Sequence, residues 1–333
     1  MKQSTLNIGL LGCGRIGQVH ARGIAQLDNA VVFAVSDAVD DAACALAATT
    51  GAQVMTPHEM LSNNQIHAVV IGTPTDTHYD LIHSAAKHGK AIFCEKPIDL
   101  SAVRIRDCLA AVKQHNVPFF VGFNRRFDPN FAHLVKQVRD GAIGEIELIS
   151  IISKDPAPPP VSYIDASGGL FRDMMIHDLD MARFILNEEP IEVHAMGTSL
   201  VDPAIGKAGD VDTAMVMLKT ATGKLCQISN SRRASFGYDQ RIEVHGSKGM
   251  IRAENVYENT IELANESGFT KAPVQHFFLE RYEAAYKAEL QQFVSTVLDG
   301  VAPNPDGEDG LKAQLLADAA TEACFGAGVV KLG

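Results

Sequence analysis

The chain has no C-x-x-C pair, no apolar run long enough to cross a bilayer, and no excess of basic charge. Its six cysteines, at 13, 44, 94, 108, 226 and 324, lie scattered without metal-ligand spacing. That excludes a disulfide framework and a cysteine-built metal site, and it fits a reducing cytoplasm. Lys and Arg number 29 against 40 Asp and Glu, a formal net charge of −11. Such a balance argues against nucleic acid or an anionic membrane as partner. The N-terminus lacks the long apolar core of a signal peptide, and no internal repeat or low-complexity tract is found. What is present is an ordinary soluble composition, 46% hydrophobic and 21% charged, over 333 residues, enough for two domains. The expected protein is cytoplasmic, metal-free and acts on a small molecule.

Leu6 to Leu11 reads as a short buried strand running into Gly12-Cys13-Gly14-Arg15-Ile16-Gly17 and a helix through Ala25. Gly12 allows the tight turn, Gly14 lets main chain approach a pyrophosphate, and Gly17 lets the helix lie on the strand. The anion then sits at the helix N-terminus, over Arg15 and Ile16, where amides point outward and the dipole favours it. A second apolar strand, Val31 to Ser36, ends in Asp37, twenty residues past Gly17. A carboxylate there accepts hydrogen bonds from ribose hydroxyls and repels a 2′-phosphate. No basic residue follows at once, so the expected cofactor is NAD rather than NADP.

Strand and helix go on alternating. Ala68 to Gly72 is a strand followed by Thr73-Pro74-Thr75-Asp76-Thr77-His78, and Ala91 to Cys94 is a strand followed by Glu95-Lys96-Pro97. In a doubly wound sheet both loops lie beyond the carboxyl ends of the strands, where ligands bind. Thr73 and Pro74 are expected along the nucleotide; His78 either caps the next helix or serves the site. Lys96 cannot be a core residue, because burying an unpaired ammonium is expensive. Glu95 is placed to hold it, and Pro97 to bend the chain through a cis bond; the alternative is a solvated turn lysine.

The most distinctive stretch is Gly168-Gly169-Leu170-Phe171-Arg172-Asp173-Met174-Met175-Ile176-His177-Asp178-Leu179-Asp180, continuing to Phe184. Its apolar spacing predicts one amphipathic helix. Asp173 and His177, four residues apart, would be neighbours on one face, where a carboxylate orients an imidazole and favours its charged form. Alone, the pair also reads as a helix cap and a core histidine. Further on, Ile191–Leu200, Thr213–Lys219, Lys224–Ser231 and Tyr238–His245 alternate apolar and polar residues as antiparallel strands of one sheet. A long helix from Phe278 to Leu298 carries Tyr282 and Tyr286, read as core or as a substrate contact. The last helix covers Leu311 to Cys324.

The run GLLGCGRIG, then Asp37, then GTPTDTH, EKP and GGLFRDMMIHDLDMARF, resembles the glucose–fructose oxidoreductase, inositol dehydrogenase and rhizopine-catabolism superfamily (Gfo/Idh/MocA), and within it the inositol dehydrogenase branch. The resemblance implies an α/β protein: a Rossmann domain of doubly wound parallel sheet over residues 1–122, then an α+β domain with a large, mostly antiparallel open sheet over 123–333, whose last helix packs back on the first domain. It implies that Lys96 lies at the nicotinamide and substrate. It places Asn124 and Arg125 near the active site, Asp155 at the substrate ring, and the Tyr238 hydroxyl at the substrate. The implied reaction is NAD-dependent oxidation of a cyclic polyol, myo-inositol at C2. His177 takes the hydroxyl proton, Asp173 supports it and Lys96 steadies the reacting oxygen. One face of the C-terminal sheet is expected to pack on helices and the other to bury itself in a homo-oligomer, dimer or tetramer. The rival readings are a dehydrogenase of an aldose or another inositol isomer, a non-catalytic NAD-dependent sensor, and an NAD-assisted glycosidase.

Overall fold

A computed structural model describes residues 5–332. Two compact units are formed: one takes the chain up to Phe127 together with Glu283–Gln314, the other takes Asp128–Tyr282 and the chain from Leu315 onward. A second domain running unbroken from residue 123 is thus interrupted, because one helical segment packs with the nucleotide unit.

The first unit alternates β1 (Leu6–Leu11), α1 (Arg15–Ala25), β2 (Ala30–Ser36), α2 (Asp40–Thr50), β3 (Gln53–Val54), α3 (Pro57–Ser62), β4 (Ala68–Ile71), α4 (His78–Lys87), β5 (Ala91–Cys94), α5 (Ala102–His115) and β6 (Phe119–Val121). The strands form one parallel sheet in the order β3-β2-β1-β4-β5-β6. Strand order reverses about β1, so the loops after β1 and β4 flank the switch point where such sheets bind ligands. Strands β4 and β5 are wholly buried, as continuous apolar runs covered on both faces must be.

The second unit contains α6 (Pro129–Arg139), β7 (Ile146–Lys154), α7 (Ile164–Ser167), α8 (Gly169–Asp173), α9 (Ile176–Leu186), β8 (Pro190–Thr198), α10 (Pro203–Lys207), β9 (Thr213–Thr220), β10 (Leu225–Ser231), β11 (Asp239–Gly246), β12 (Gly249–Ala253), β13 (Glu262–Asn265), β14 (Gly268–Lys271) and α11 (Phe278–Arg281). A seven-stranded sheet runs β12-β11-β7-β10-β9-β8-β15, where β15 is Val329–Lys331. Among the described residues of this sheet, only β7 and β10 pair in parallel. One face buries Ile149, Ile151, Val216, Ile228 and Val244. On the other, register neighbours bring together exposed Met196 and Met215, and exposed Leu148 and Leu225, while exposed Met250 lies across His245 from Leu148.

After Tyr282, α12 (Glu283–Asp299) rejoins the first unit, and α13 (Gly307–Glu322) begins in it. Phe293 of α12 packs edge-on against Phe93 at 5.6 Å. Gly23 of α1 allows a close approach here: a Cβ on it would lie 2.5 Å from a Leu290 methyl. The long helix expected over 278–298 is therefore broken at Tyr282. Among the described residues, no helix is long and apolar enough to cross a membrane.

The single helix expected over Gly169–Phe184 is also broken. Both Met174 and Met175 donate their amides to the Leu170 carbonyl, at 3.0 and 2.9 Å, so the ladder slips by one residue between α8 and α9. Asp173 closes the first helix, and His177 is the second residue of the next, which Ile176 opens. Their four-residue separation is not that of one continuous helix.

Candidate active site

In the first unit the glycine turn has the geometry the motif demands. Gly12 adopts φ +96°, and a Cβ there would stand 2.5 Å from the Gly72 carbonyl oxygen. A Cβ on Gly17 would lie 2.0 Å from the Gly12 carbonyl oxygen, so helix and turn touch as only glycine allows. Around Gly14, by contrast, a Cβ would meet nothing within 4 Å. Gly14 is also the N-cap of α1 and supplies no side-chain cap, which leaves the first-turn amides of Arg15 and Ile16 to an outside acceptor. Open space before uncapped amides is what a pyrophosphate fits.

Asp37 follows β2 and does more than the spacing predicts. Its Oδ2 accepts from the Cys13 amide at 2.6 Å and its Oδ1 from the Val39 amide at 2.8 Å. The carboxylate thus ties the glycine turn to the end of β2, and being acceptor-only it keeps lone pairs for hydroxyl donors. Asp40 and Asp41 follow in the first turn of α2, adding negative charge against a 2′-phosphate. Burial, with Asp37 beside it, pushes the Cys13 thiol up to about 11, so this thiol stays protonated.

Beyond β4, the Thr77 hydroxyl lies 2.7 Å from both the Thr73 hydroxyl and the Pro74 carbonyl, closing a 3₁₀ turn over Thr75–Thr77. His78 is buried, with Nε2 2.9 Å from the Thr73 carbonyl and Nδ1 3.0 Å from the Pro97 carbonyl. Burial lowers its pKa, and a neutral ring has only one N–H to donate. His78 therefore ties the loop after β4 to the loop after β5. In that second loop Lys96 is half-buried, the Lys96–Pro97 bond is cis, and the Lys96 amide donates to Glu95 Oε2 at 3.2 Å.

The next 3₁₀ turn, Asn124–Phe127, buries Asn124, Arg125 and Arg126. Arg126 donates to Asn304 at 2.7 Å and to Asp309 at 3.0 Å, so it ties parts of its own unit together. Tyr286 is buried with its ring edge-on to His20 at 6.0 Å.

In the second unit, Asp210 accepts the Leu170 amide with both carboxylate oxygens, at 3.1 and 3.0 Å, and so caps α8. Gly169, at φ +83°, makes room for it: a Cβ would lie 2.7 Å from Asp210 Oδ1. At the other end of α8, Asp173 is half-buried, with the Tyr163 hydroxyl 3.4 Å from its Oδ1 and Arg232 Nη1 3.6 Å from its Oδ2. His177 is half-buried as well. The next residue, Asp178, is fully buried and accepts from Ser153 Oγ at 2.5 Å and Asn230 Nδ2 at 2.9 Å, fixing the start of α9 to β7 and β10. Asp155 follows β7 and donates its amide to the Ser231 carbonyl at 2.9 Å. Tyr238 is buried against Phe277 and Tyr282.

Sequence reasoning missed Arg232, Asp210 and Asp178. Only Asp178 left a trace, as a carboxylate amid the apolar residues of a helix, where it needs partners.

Residues 6–123 match the oxidoreductase family with an NAD-binding Rossmann fold, and residues 131–252 match the GFO/IDH/MocA C-terminal domain. The chain is 53% identical to the inositol 2-dehydrogenase of Rhizobium meliloti (strain 1021), over 96% of this chain and 97% of that one. A crystal structure of a myo-inositol dehydrogenase from Corynebacterium glutamicum ATCC 13032 superimposes with a TM-score of 0.94 at 43% identity, covering 99% of each chain. A scyllo-inositol dehydrogenase from Lactobacillus casei, solved with bound NAD(H) and scyllo-inositol, gives 0.92 at 32% identity over 98% of this chain and 99% of that one. With its glycine turn, its acidic strand end and this full-length likeness, the chain belongs to the Gfo/Idh/MocA family of NAD-dependent oxidoreductases.

Proposed function

We propose that the protein oxidises an inositol, myo-inositol at C2, to the corresponding ketone. The observation that carries this reading is the end-to-end likeness, at 53% identity, to an inositol 2-dehydrogenase. When bound, NAD supplies the acceptor for the hydride that leaves the carbinol carbon. The remaining work belongs to the chain. His177 accepts the proton of the hydroxyl as the C–H bond breaks. Asp173 orients the imidazole and supports its charged form, and Lys96 donates to the reacting oxygen and steadies its developing negative charge. Asn124, Arg125, Asp155, Tyr238 and Tyr286 are the proposed contacts to the remaining ring, and the Gly12–Gly17 turn, Asp37, Thr73 and Pro74 hold the dinucleotide. Two electrons leave as hydride to the bound NAD, one NAD being used per turnover, and one proton goes to His177, so the polyol becomes a ketone.

A second reading, scyllo-inositol, is favoured by the likeness to a dehydrogenase solved with that isomer. The two isomers differ only at C2 and give the same ketone, so the choice is one of which face loses hydride. Absorbance of NADH with a panel of myo-inositol, scyllo-inositol and aldoses separates the readings. Net NADH fastest with myo-inositol is expected. Net NADH only with an aldose, or none with any polyol, overturns the assignment.

The exposed face of the seven-stranded sheet, with Met196, Met215, Met217, Leu225 and Leu148 beside one another, supports self-association through that face. A dimer or tetramer by sedimentation is expected, and Met215→Glu with Met217→Glu should lower its order.

A further inference from the structure

Behind Lys96, three ionisable side chains of the first unit meet where none reaches solvent freely. His20 and Glu289 are 0% exposed and Glu95 is 8% exposed. His20 Nε2 donates to Glu95 Oε1 at 2.7 Å, while Glu95 Oε2 accepts the Lys96 amide at 3.2 Å. Each of the three offers a nitrogen or oxygen within 4.8 Å of the others. Gly122 lies close on the far side, where a Cβ would come within 3.1 Å of the Glu95 carboxyl, so Glu95 sits in a fitted slot. Glu289 enters from α12, and among the described residues neither of its oxygens has a hydrogen-bond partner.

Two carboxylates this close, out of water, cannot both stay ionised without a compensating cation. The charged groups on the elements packed around Glu289 do not supply one. From α1 comes His20, already bonded to Glu95; Arg15 and Arg22 on that helix are exposed. From the 3₁₀ turn 124–127 come Arg125 and Arg126, the latter bonded to Asn304 and Asp309. On α12 itself Glu283 and Lys287 are exposed. Burial first, and the charge of Glu95 second, push the Glu289 carboxyl well above the ordinary range.

We infer that Glu289 carries a proton inside the folded protein, and that this neutral acid and His20 together position Glu95, and through it Lys96. Glu289 is a positioning residue in this scheme, since it is placed behind Glu95 and not at substrate. Only the consequence for turnover rests on the inositol reading; the proton itself does not.

The test uses the full-length protein with Glu289→Gln, the isostere of the neutral acid, and Glu289→Leu, which keeps bulk but no polar group. Infrared difference spectra of wild type against Glu289→Gln should show the C=O stretch of a buried protonated carboxylic acid. Stability carries the same signature with a defined sign. A carboxyl protonated in the fold but ionised when unfolded contributes stability that is full below its ordinary pKa, about 4.3, and is lost as pH rises towards the folded value. The unfolding constant of wild type relative to Glu289→Gln should therefore rise up to tenfold per pH unit above about pH 5. Glu289→Gln should keep turnover within about threefold, whereas Glu289→Leu should lose tenfold or more in kcat with NAD affinity unchanged. Parallel pH–stability curves without the infrared band overturn the proton. A stoichiometric divalent metal in the purified wild type, lost in Glu289→Gln, overturns it too, because a cation would then hold the cluster. Unaltered kcat in Glu289→Leu overturns the positioning role. The band and the stability signature without turnover of any polyol by wild type would leave the proton standing and remove the inositol reading.

Discussion

Arg232, at the end of β10, holds its Nη1 3.6 Å from Oδ2 of Asp173, with only 2% of its side chain exposed. Among the described residues its Nε and Nη2 have no hydrogen-bond partner. The pair joins a strand end to the last residue of α8, so the proposed catalytic carboxylate is anchored by a charge from another element. Removing one member of a buried ion pair strands the other and costs about 3–5 kcal/mol, less here because Asp173 is 18% exposed. Arg232→Met should lower stability by about 2–3 kcal/mol in denaturant titrations and slow turnover at least tenfold, with Arg232→Lys intermediate. Full activity in Arg232→Met would show that Asp173 needs no such anchor.

Asp37 has two tasks, and they can be separated. Its carboxylate accepts two main-chain amides and is proposed to bind the ribose hydroxyls. Asp37→Ser with Ala38→Arg keeps one acceptor while reversing the charge. Losing charge-assisted hydrogen bonds of about 1.5–3 kcal/mol corresponds to roughly 10- to 100-fold weaker NAD binding. NADP should gain over the same change. Calorimetric titration with both nucleotides checks it, and an unchanged ratio of affinities would place the ribose elsewhere.

Gly169 cannot accept a side chain without disturbing the cap of α8. At φ +83° an alanine costs about 1–2 kcal/mol, and its Cβ would press on Asp210 at 2.7 Å. Gly169→Ala should lower Tm by about 2–8 °C. Because Asp173 closes the same short helix, kcat should fall more than the KM for polyol rises. Asp210→Asn, which keeps an acceptor for the Leu170 amide, should be milder on both counts.

The nucleotide half was legible because its signals are local. A glycine turn, an acidic strand end and a strand-end lysine are recognisable from spacing alone, and their strands needed only apolar runs. The second half was legible as a sheet but not as a site. Asp210 and Leu170 are 40 residues apart, and their contact is fixed by how a loop folds over α8. Asp173 and Arg232 meet only in the folded unit, where the chain just after β10 reaches the end of α8. The slip at Met174–Met175 left the apolar period intact, so the pattern read as one helix. Glu289 carries no local signal on α12, and its setting exists only once α1 is packed against that helix. In each case the decisive partner came from an element remote in sequence.

Arg232 and Asp173 also make opposite predictions for the pH profile. If His177 is the base, polyol oxidation falls at acid pH, because a protonated ring cannot accept the hydroxyl proton. Asp173→Asn removes a negative charge proposed to favour the protonated ring, so on that proposal the acid limb should move to lower pH while the rate falls through lost orientation. Arg232→Met removes a positive charge 3.6 Å from Asp173, so the limb should move to higher pH. The double variant loses both charges and should lie between the two single ones. The measurement is kcat/KM for the polyol against pH for all four proteins, with NAD saturating. His177→Ala, in turn, should nearly abolish turnover while leaving NAD affinity unchanged, since the proposed nucleotide contacts all lie in the first unit. If both charge variants moved the limb the same way, or His177→Ala turned over at the wild-type rate, the proton would have to leave through another group, with Lys96 the next to test.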